Sequence, residues 1–368
     1  MWAMIVKEFR QVRRDRRTLA MMIVLPVLLL IVLGYAASFD VKSIPVAVAG
    51  PQAAAAESFL RAPFDVTTTQ PGEGLAWAQG QLRDGKADMA VVTGGARPVI
   101  LIDGTQIFAA QAARAGLARL GGVQIRPVVR ILYNPDLKTS YIMIPGLCGV
   151  VLVFVGTIIT SLGVVRERQS GTLEQLAVMP LKPRDVFLGK IVPYFAVAAL
   201  DLAIVVSVGV GLFGVPFRGS LAVFALGALL FLFVTLGIGV LISSVSENQG
   251  QAIQLSLMVT LPQVLLSGLI FPLSSIAVGV RWISYLLPLT YFNEISRGVM
   301  LRAEPLGALW QPFVFLALLG AVVFTLATLR FRAFLAPAGP RRGAGSPRSP
   351  RSAQSVTSAA GAPSRSAG

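Results

Sequence analysis

The residues with most to offer chemically lie in one run, Arg166-Glu167-Arg168-Gln169-Ser170-Gly171-Thr172-Leu173-Glu174-Gln175-Leu176-Ala177-Val178-Met179-Pro180. Thr172 followed by Gln175 reads as a capping box, in which each side chain satisfies a backbone donor that the first helical turn leaves unpaired. Leu173, Leu176 and Val178/Met179 give this short helix an apolar edge, and Pro180 and Pro183 end it. A rigid, capped, amphipathic helix has to dock, either on a membrane surface or in the groove of a soluble partner. Covalent chemistry has less to work with. The chain has no histidine, which removes the commonest general base, metal ligand and pH switch. Its one cysteine, Cys148, sits in an apolar run, so no internal disulfide, zinc site or iron–sulfur site can be assembled. No catalytic or metal-ligating residue is assigned. Asp103-Gly104 reads as a turn rather than a catalytic acid. Asp201 is the one ionisable residue inside an apolar span, where a carboxylate suits a cationic substrate or an interhelical donor.

The elements that must position these residues follow from composition. Of 368 residues, 55% are apolar and only 13% charged, with a mean hydropathy of +0.73, whereas soluble domains carry roughly 25% charged residues. Six stretches are long and apolar enough to cross ~30 Å of hydrocarbon: Leu19–Ala37, Ile142–Val165, Ile191–Phe213, Leu221–Ser243, Ile253–Phe271 and Trp310–Leu329. The expected fold is an α-helical integral membrane protein with six transmembrane helices and a small α/β extracytoplasmic domain between spans one and two. Lys7, Arg10, Arg13, Arg14, Arg16 and Arg17 precede the first span, and Arg166, Arg168, Lys182, Arg184 and Lys190 lie between spans two and three. Arg330, Arg332, Arg341, Arg342, Arg348, Arg351 and Arg365 follow the last. The opposite short segments carry only Arg218, Arg281, Arg297 and Arg302. Short basic segments resist translocation, so both termini and the loop 166–190 are expected in the cytoplasm, although the loop near Glu247 has no basic residue to match. The net charge of +15 therefore marks a membrane side and does not indicate a nucleic-acid partner.

Residues 1–18 read as an interfacial amphipathic helix, with Trp2, Ile5, Val6, Phe9 and Val12 on one face. Gly34-Tyr35-Ala36-Ala37 would suit a signal peptidase, but the patterned basic segment ahead of it favours an uncleaved anchor. Within 38–141, Ile44–Ala49, Ala87–Val92, Pro98–Ile102 and Val128–Tyr133 read as strands and Gly72–Arg83 and Ile107–Leu120 as amphipathic helices. Such a domain suits substrate binding, docking of an envelope accessory protein, or gating of an outer exit. Residues 272–309 are apolar but interrupted by Pro272, Arg281, Pro288 and Arg297, which fits an extracytoplasmic or re-entrant segment with Tyr285, Tyr291 and Phe292 as interface aromatics, or a surface hairpin. Residues 336–368, rich in Pro, Gly, Ser, Ala and Arg, form a basic tail that cannot bury enough surface to fold.

Arg166-Glu167, Gly171-Thr172-x-Glu174-Gln175-Leu176, Pro180 and Gly189-Lys190 together resemble the signature segment of ABC-2-type transporter permeases. Asn134-Pro135, Pro145-Gly146, Phe271-Pro272, Pro288-Leu289-Thr290 and Arg297-Gly298 resemble further family positions, and the one-plus-five span layout resembles its drug-exporter branch. The resemblance covers roughly 1–335. It implies that the run around Gly171 is a coupling helix seated in a cleft of a separate ATPase subunit, with Arg166, Glu167, Gly171, Thr172, Glu174, Gln175, Leu176 and Pro180 at the contact. The chain has no Gly-x-x-x-x-Gly-Lys-[Ser/Thr] run to cradle phosphates, so it binds no cofactor of its own by that route, and ATP with magnesium belongs to the partner. A dimer with an identical or related permease chain and a bacterial inner-membrane location follow from the same resemblance. The implied activity is export of a hydrophobic or amphiphilic drug-like or lipid-like substrate. An ion-coupled secondary transporter would need more intramembrane titratable groups than Asp201. A non-transporting envelope sensor or scaffold is the remaining alternative.

Overall fold

The computed structural model describes residues 41, 43–119, 127–170 and 183–335. The expected first span, the basic tail and the loop segment 171–182 lie outside the described residues. Five strands and three helices build an α/β domain: β1 (Ile44–Ala49), α1 (Ala53–Phe59), β2 (Phe64–Gln70), α2 (Leu75–Arg83), β3 (Met89–Val92), β4 (Val99–Asp103), α3 (Ile107–Arg119) and β5 (Val128–Leu132). The sheet order is β2-β1-β3-β4-β5, parallel throughout except for the β3–β4 pair. Alternation along the strands sorts side chains between two faces. Ile44, Val46, Val48, Met89, Val91, Ile100 and Ile102 pack with Ala53 of α1 and Ala110 and Ala113 of α3. Ala47, Ala90 and Leu101 pack on the other face with Ala78 and Leu82 of α2.

Two details depart from the sequence expectation. β2, with its sequence Phe-Asp-Val-Thr-Thr-Thr-Gln, has no apolar run to announce it, because it is an edge strand paired on one side only. The sequence pattern sets the apolar stripe of α3 on Ile107, Ala110, Ala113, Leu117 and Leu120, whereas the buried stripe runs through Ala109, Ala110, Ala113 and Gly116, with Leu117 only partly covered. A Cβ at Gly116 would lie 2.7 Å from the Phe64 ring, so the small residue sets how closely this helix approaches the sheet.

The rest is helical. α4 (Thr139–Val153), a π-helical turn (Phe154–Ile159) and α5 (Thr160–Gln169) follow one another without a break. Then come α6 (Pro183–Gly211), α7 (Leu221–Val245), α8 (Gln249–Leu266), α9 (Val278–Ser284), α10 (Pro288–Arg297), a second π turn (Gly298–Arg302) and α11 (Trp310–Leu335). Among the described residues, three helical stretches are long and apolar enough to cross a membrane: Thr139–Arg166, Leu221–Val245 and Trp310–Arg330. Phe195–Gly211 is a shorter apolar helical stretch. On α11 the exposed Val314, Leu318, Val322, Leu326 and Leu329 recur at helical spacing, an outward face that suits hydrocarbon rather than water.

The segment 288–302 is not a surface hairpin. All of its residues except Glu294 are buried, and α10 lies in the middle of the helical core. Tyr291 and Phe292, expected in an interface belt, face inward. Phe292 stacks on Phe231 of α7 at 4.6 Å, and Tyr291 stacks on Phe315 of α11 and donates its hydroxyl to the Tyr285 carbonyl at 2.7 Å. These contacts turn both rings toward α7 and α11, leaving Tyr285 as the exposed aromatic of the three. The turn between α6 and α7 closes over the same segment, Arg218 N donating to the Met300 carbonyl at 3.0 Å.

Helix approach depends on glycine at defined positions. A Cβ on Gly239 of α7 would lie 2.5 Å from the Gly156 carbonyl oxygen in the first π turn, where backbone has to move to make room. A Cβ on Gly211, at the end of α6, meets nothing within 4 Å. Gly239→Val is therefore expected to cost about 1–3 kcal/mol through overpacking, seen as a lowered thermal midpoint of the detergent-purified chain. Gly211→Ala is expected to leave that midpoint unchanged or slightly raised; equal effects of the two substitutions would refute the packing assignment.

Candidate functional site

Several family-like residues from distant parts of the chain converge where the α/β domain meets the segment 267–304. β4 ends in Asp103, whose carboxylate accepts from Thr105 N at 2.8 Å and Thr105 Oγ1 at 2.9 Å. This is the local turn the sequence suggests. The same carboxylate, fully buried, also pairs with Arg302 Nη1 at 3.2 Å, across 199 positions of sequence. On its other side Arg302 forms an ion pair with Glu304 at 2.5 Å. The backbone makes that second grip possible. Ala303 adopts a left-handed conformation (φ 54°), turning the chain back so that Glu304 N donates to the Gly298 carbonyl at 3.0 Å. A Cβ at Gly298 would lie 2.6 Å from Glu304 Oε2. The pair Arg297-Gly298 thus has a physical reason for its glycine.

Asn134 fastens the neighbouring loop. Fully buried, it donates to the Gly104 and Lys138 carbonyls at 3.3 and 3.1 Å and accepts from Lys138 N at 2.9 Å, tying the Asp103-Gly104 turn to the start of α4. Further along α4, Gly146 lies against Leu269 and Asn293. Asn293 of α10 donates to the Ser267 carbonyl and hydroxyl at 3.3 and 3.0 Å. Among the described residues, none of these groups forms a nucleophile–base pair or a metal-ligand cluster.

The junction encloses a cavity of about 300 Å³ walled by residues of both parts, among them Asp88, Ser267, Asn293, Glu294, Arg297 and Arg302. Burial, helped by the negative charge of Asp103, pushes the Asp88 carboxyl up to about 7 against the opposing pull of Arg302. Burial likewise pushes Glu304 up to about 7, again opposed by Arg302. Two carboxyls of the cluster, Asp88 and Glu304, therefore change protonation close to neutral pH.

A second polar feature lies deeper in the helices. Ser161 of α5 and Ser256 of α8 share a hydrogen bond at 2.8 Å. Around them Thr157, Thr160, Thr260 and Gln263 are buried, with side-chain polar atoms that find no hydrogen-bond partner among the described residues. The seam lies beside the π turn Phe154–Ile159, a backbone irregularity frequent at functional positions.

The residues read from sequence as docking positions fall differently. Arg166 is exposed in the last turn of α5, and the backbone of Glu167 continues that helix. Gly171, Thr172, Glu174, Gln175, Leu176 and Pro180 lie outside the described residues. Asp201 is half-buried on α6 and pairs with no other described residue. Sequence reading missed Asp88, Arg302 and Glu304. Their only sequence signal is the placing of Arg302 and Glu304 beside the apolar Val299–Leu301, where exposed charges would not be expected.

Residues 16–329 match a family model described as ABC-2 family transporter protein. The chain is similar to the probable multidrug ABC transporter permease YbhR of Escherichia coli strain K12, 34% identical over 205 residues, covering 56% of each chain. It is 29% identical over 339 residues to the probable multidrug ABC transporter permease YbhS of the same organism, covering 82% of this chain and 88% of that one. With the inner membrane transport permease YhhJ it shares 31% identity over 209 residues, 55% of this chain and 54% of that one. The match thus spans little more than half the length of YbhR.

Arg302→Met leaves Asp103 buried and unpaired, and is expected to cost about 3–5 kcal/mol. Asp103→Asn combined with Arg302→Met removes both charges and is expected to recover most of that loss, read as thermal midpoints in detergent. No recovery in the double variant would show that the ion pair is not what joins the two parts. The Asp88 carboxyl rises from its ordinary 3.8 to about 7 on folding. Between about pH 4 and 7 the folded chain therefore holds a proton that the unfolded chain has lost, and stability falls as pH climbs through that window. Asp88→Asn is expected to flatten this decline, measured as the thermal midpoint at successive pH values, leaving the part due to Glu304.

Proposed function

The chain belongs to the ABC-2 family of transporter proteins, and on that premise we propose that it is the membrane-spanning subunit of an ATP-driven exporter of hydrophobic or amphiphilic molecules. ATP hydrolysis, with its magnesium, takes place in separate ATPase subunits, and no covalent step occurs in this chain. The observation that carries the reading is the length and placement of one rod. The helix Thr139–Arg166 starts at the α/β domain and runs 28 residues, or about 42 Å at 1.5 Å per residue, which exceeds the ~30 Å hydrocarbon layer. The α/β domain and the loop that follows Gln169 then belong to opposite faces of a bilayer. At the loop end, Gln249 Nε2 donates to Gln169 Oε1 at 2.9 Å, bringing the α7–α8 turn to the base of the loop. That clasp supports the reading of the turn near Glu247 as cytoplasmic, the side expected for it despite its lack of basic residues.

In this reading six spans cross a bacterial inner membrane with both termini in the cytoplasm, the setting suggested by the Escherichia coli relatives. The α/β domain stands outside, free to meet an envelope accessory protein. Two such chains, identical or related, pair in the bilayer, and the ATPase subunits close on ATP beneath them. Arg166, Glu167, Gly171, Thr172, Glu174, Gln175, Leu176 and Pro180 form the coupling helix that receives their movement. A capped helix transmits such a push better than a flexible loop. Because α4 and α5 form one rod, displacement at Gln169 reaches both the polar seam and the charged junction. The named activity of YbhR and YbhS, multidrug transport, and the apolar spans of this chain both suit an apolar or amphiphilic substrate. Asp201, half-buried without a partner among the described residues, is the candidate contact for a positive charge on it.

The test is reconstitution with the ATPase subunits in liposomes and measurement of substrate-stimulated hydrolysis. Glu174→Lys is expected to reduce stimulated hydrolysis to the basal rate while leaving the chain folded and inserted. Normal stimulation in that variant would overturn the placement of the contact, and failure of any ATPase to co-purify would favour a scaffold over a transporter.

A further inference from the structure

Two arginines line the cavity at the junction, and among the described residues only Arg302 meets a carboxylate. Arg302 contacts Asp103 and Glu304. Arg297 is 8% exposed, yet it reaches only the Leu269 carbonyl, through Nη2 at 3.4 Å, and its Nε has no hydrogen-bond partner among the described residues. A guanidinium this deeply buried without a carboxylate in contact is costly to maintain, unless something outside the described residues meets it.

What it faces is open space of two kinds. The polar cavity of about 300 Å³ and a second cavity of about 180 Å³ share Gln106, Gly268, Pro272 and Arg297 in their walls. The second is largely apolar, walled by Ile107, Phe108, Ile142, Met143 and Leu269. Ile142 and Met143 belong to the first turn of α4, where the long apolar helix begins. Arg297 therefore stands between a chamber that holds the charged groups of the junction and a more apolar one at the edge of the membrane-crossing part.

We infer that this pair of cavities binds an amphiphile with a singly charged anionic head, the head on Arg297 and the alkyl part among Ile107, Phe108, Ile142, Met143 and Leu269. Single charge follows from the wall. Asp88 and Glu294 line the polar chamber along with Arg297. Glu294 is exposed, and Asp88 holds its proton up to about pH 7. The one guanidinium without a carboxylate partner among the described residues matches a single negative charge, so a carboxylate or phosphodiester head is neutralised there, whereas the second charge of a phosphate monoester would be left unmatched beside Asp88 and Glu294. The guanidinium fork supplies the donors for such a head. The site lies in this chain alone and requires no ATPase, so it stands apart from the export reading.

The experiment is equilibrium binding of labelled decanoate to the purified full-length chain in an uncharged detergent, with decanol, decyltrimethylammonium and inorganic phosphate as competitors. Saturable decanoate binding is expected, displaced by none of the three. Arg297→Gln is expected to weaken it by at least about tenfold, as loss of one partner of a buried charge pair does, and Arg297→Lys is expected to retain part of it. Met143→Trp, which fills the apolar chamber and leaves Arg297 in place, is expected to weaken it as well and decides the matter if the Arg297 variants do not fold. Unchanged affinity in Met143→Trp or in a folded Arg297→Gln would overturn the assignment. So would equal competition by decanol, and equal competition by phosphate would reduce the site to one for small free anions.

Discussion

A guanidinium closed off from water is costly unless negative charge meets it within contact distance, and at Arg302 the structure supplies that charge from two sides. Asp103 supplies one carboxylate from the end of a strand in the α/β domain, and Glu304 supplies the other from the same segment as the arginine. Removing either part would leave charge stranded in a medium that cannot solvate it. The two parts are thus held in register by an interaction that is strong only because it is dry. The surrounding devices serve the same contact: the left-handed Ala303 returns the chain, Gly298 makes room for the Glu304 carboxylate, and Asn134 pins the Asp103-Gly104 turn to the start of α4.

From that junction a single rod leads away. α4, the π turn and α5 carry the chain from Thr139 to Gln169, with α10 packed against the first part and α7 and α8 against the rest. The packing is tight where glycine allows it and apolar where α10 lies, with Phe292 stacked on Phe231. It is less fully satisfied between α5 and α8, where buried hydroxyl and amide groups lack partners among the described residues. Unsatisfied polar groups weaken the case for one fixed packing, and a π turn beside them gives the backbone an alternative hydrogen-bonding register.

The two ends of the rod differ in kind. At one end lie charged groups in a largely dry junction, two of which, the Asp88 and Glu304 carboxyls, change protonation near neutral pH and so respond to local field. At the other, Gln169 and Gln249 make a neutral, exposed hydrogen bond of the sort that contributes little to stability and exchanges readily with water or with a partner's groups.

The sequence by itself determined the membrane character, the three long apolar helices among the described residues, four of the five strands and, through the run from Arg166 to Pro180 with its companions, the family. These are legible because they rest on local quantities: apolar run length, the two- and 3.6-residue periods, and short motifs. β2 escaped because an edge strand needs only one partner and shows no strong apolar pattern. Tyr291 and Phe292 were misplaced because an aromatic residue suits a membrane interface and a packed core equally well, and only neighbours such as Phe231 and Phe315 decide between them. The charged junction was beyond reach for a different reason. Asp103 and Arg302 become partners only when β4 and the second π turn are brought together, and no local pattern carries information about a pairing that spans 199 positions. Motif residues such as Asn134 and Gly298 could be recognised in the chain, but what they hold in place was decided by the tertiary structure, because burial, which gives a charge its energetic weight, is a property of the fold and not of any one residue.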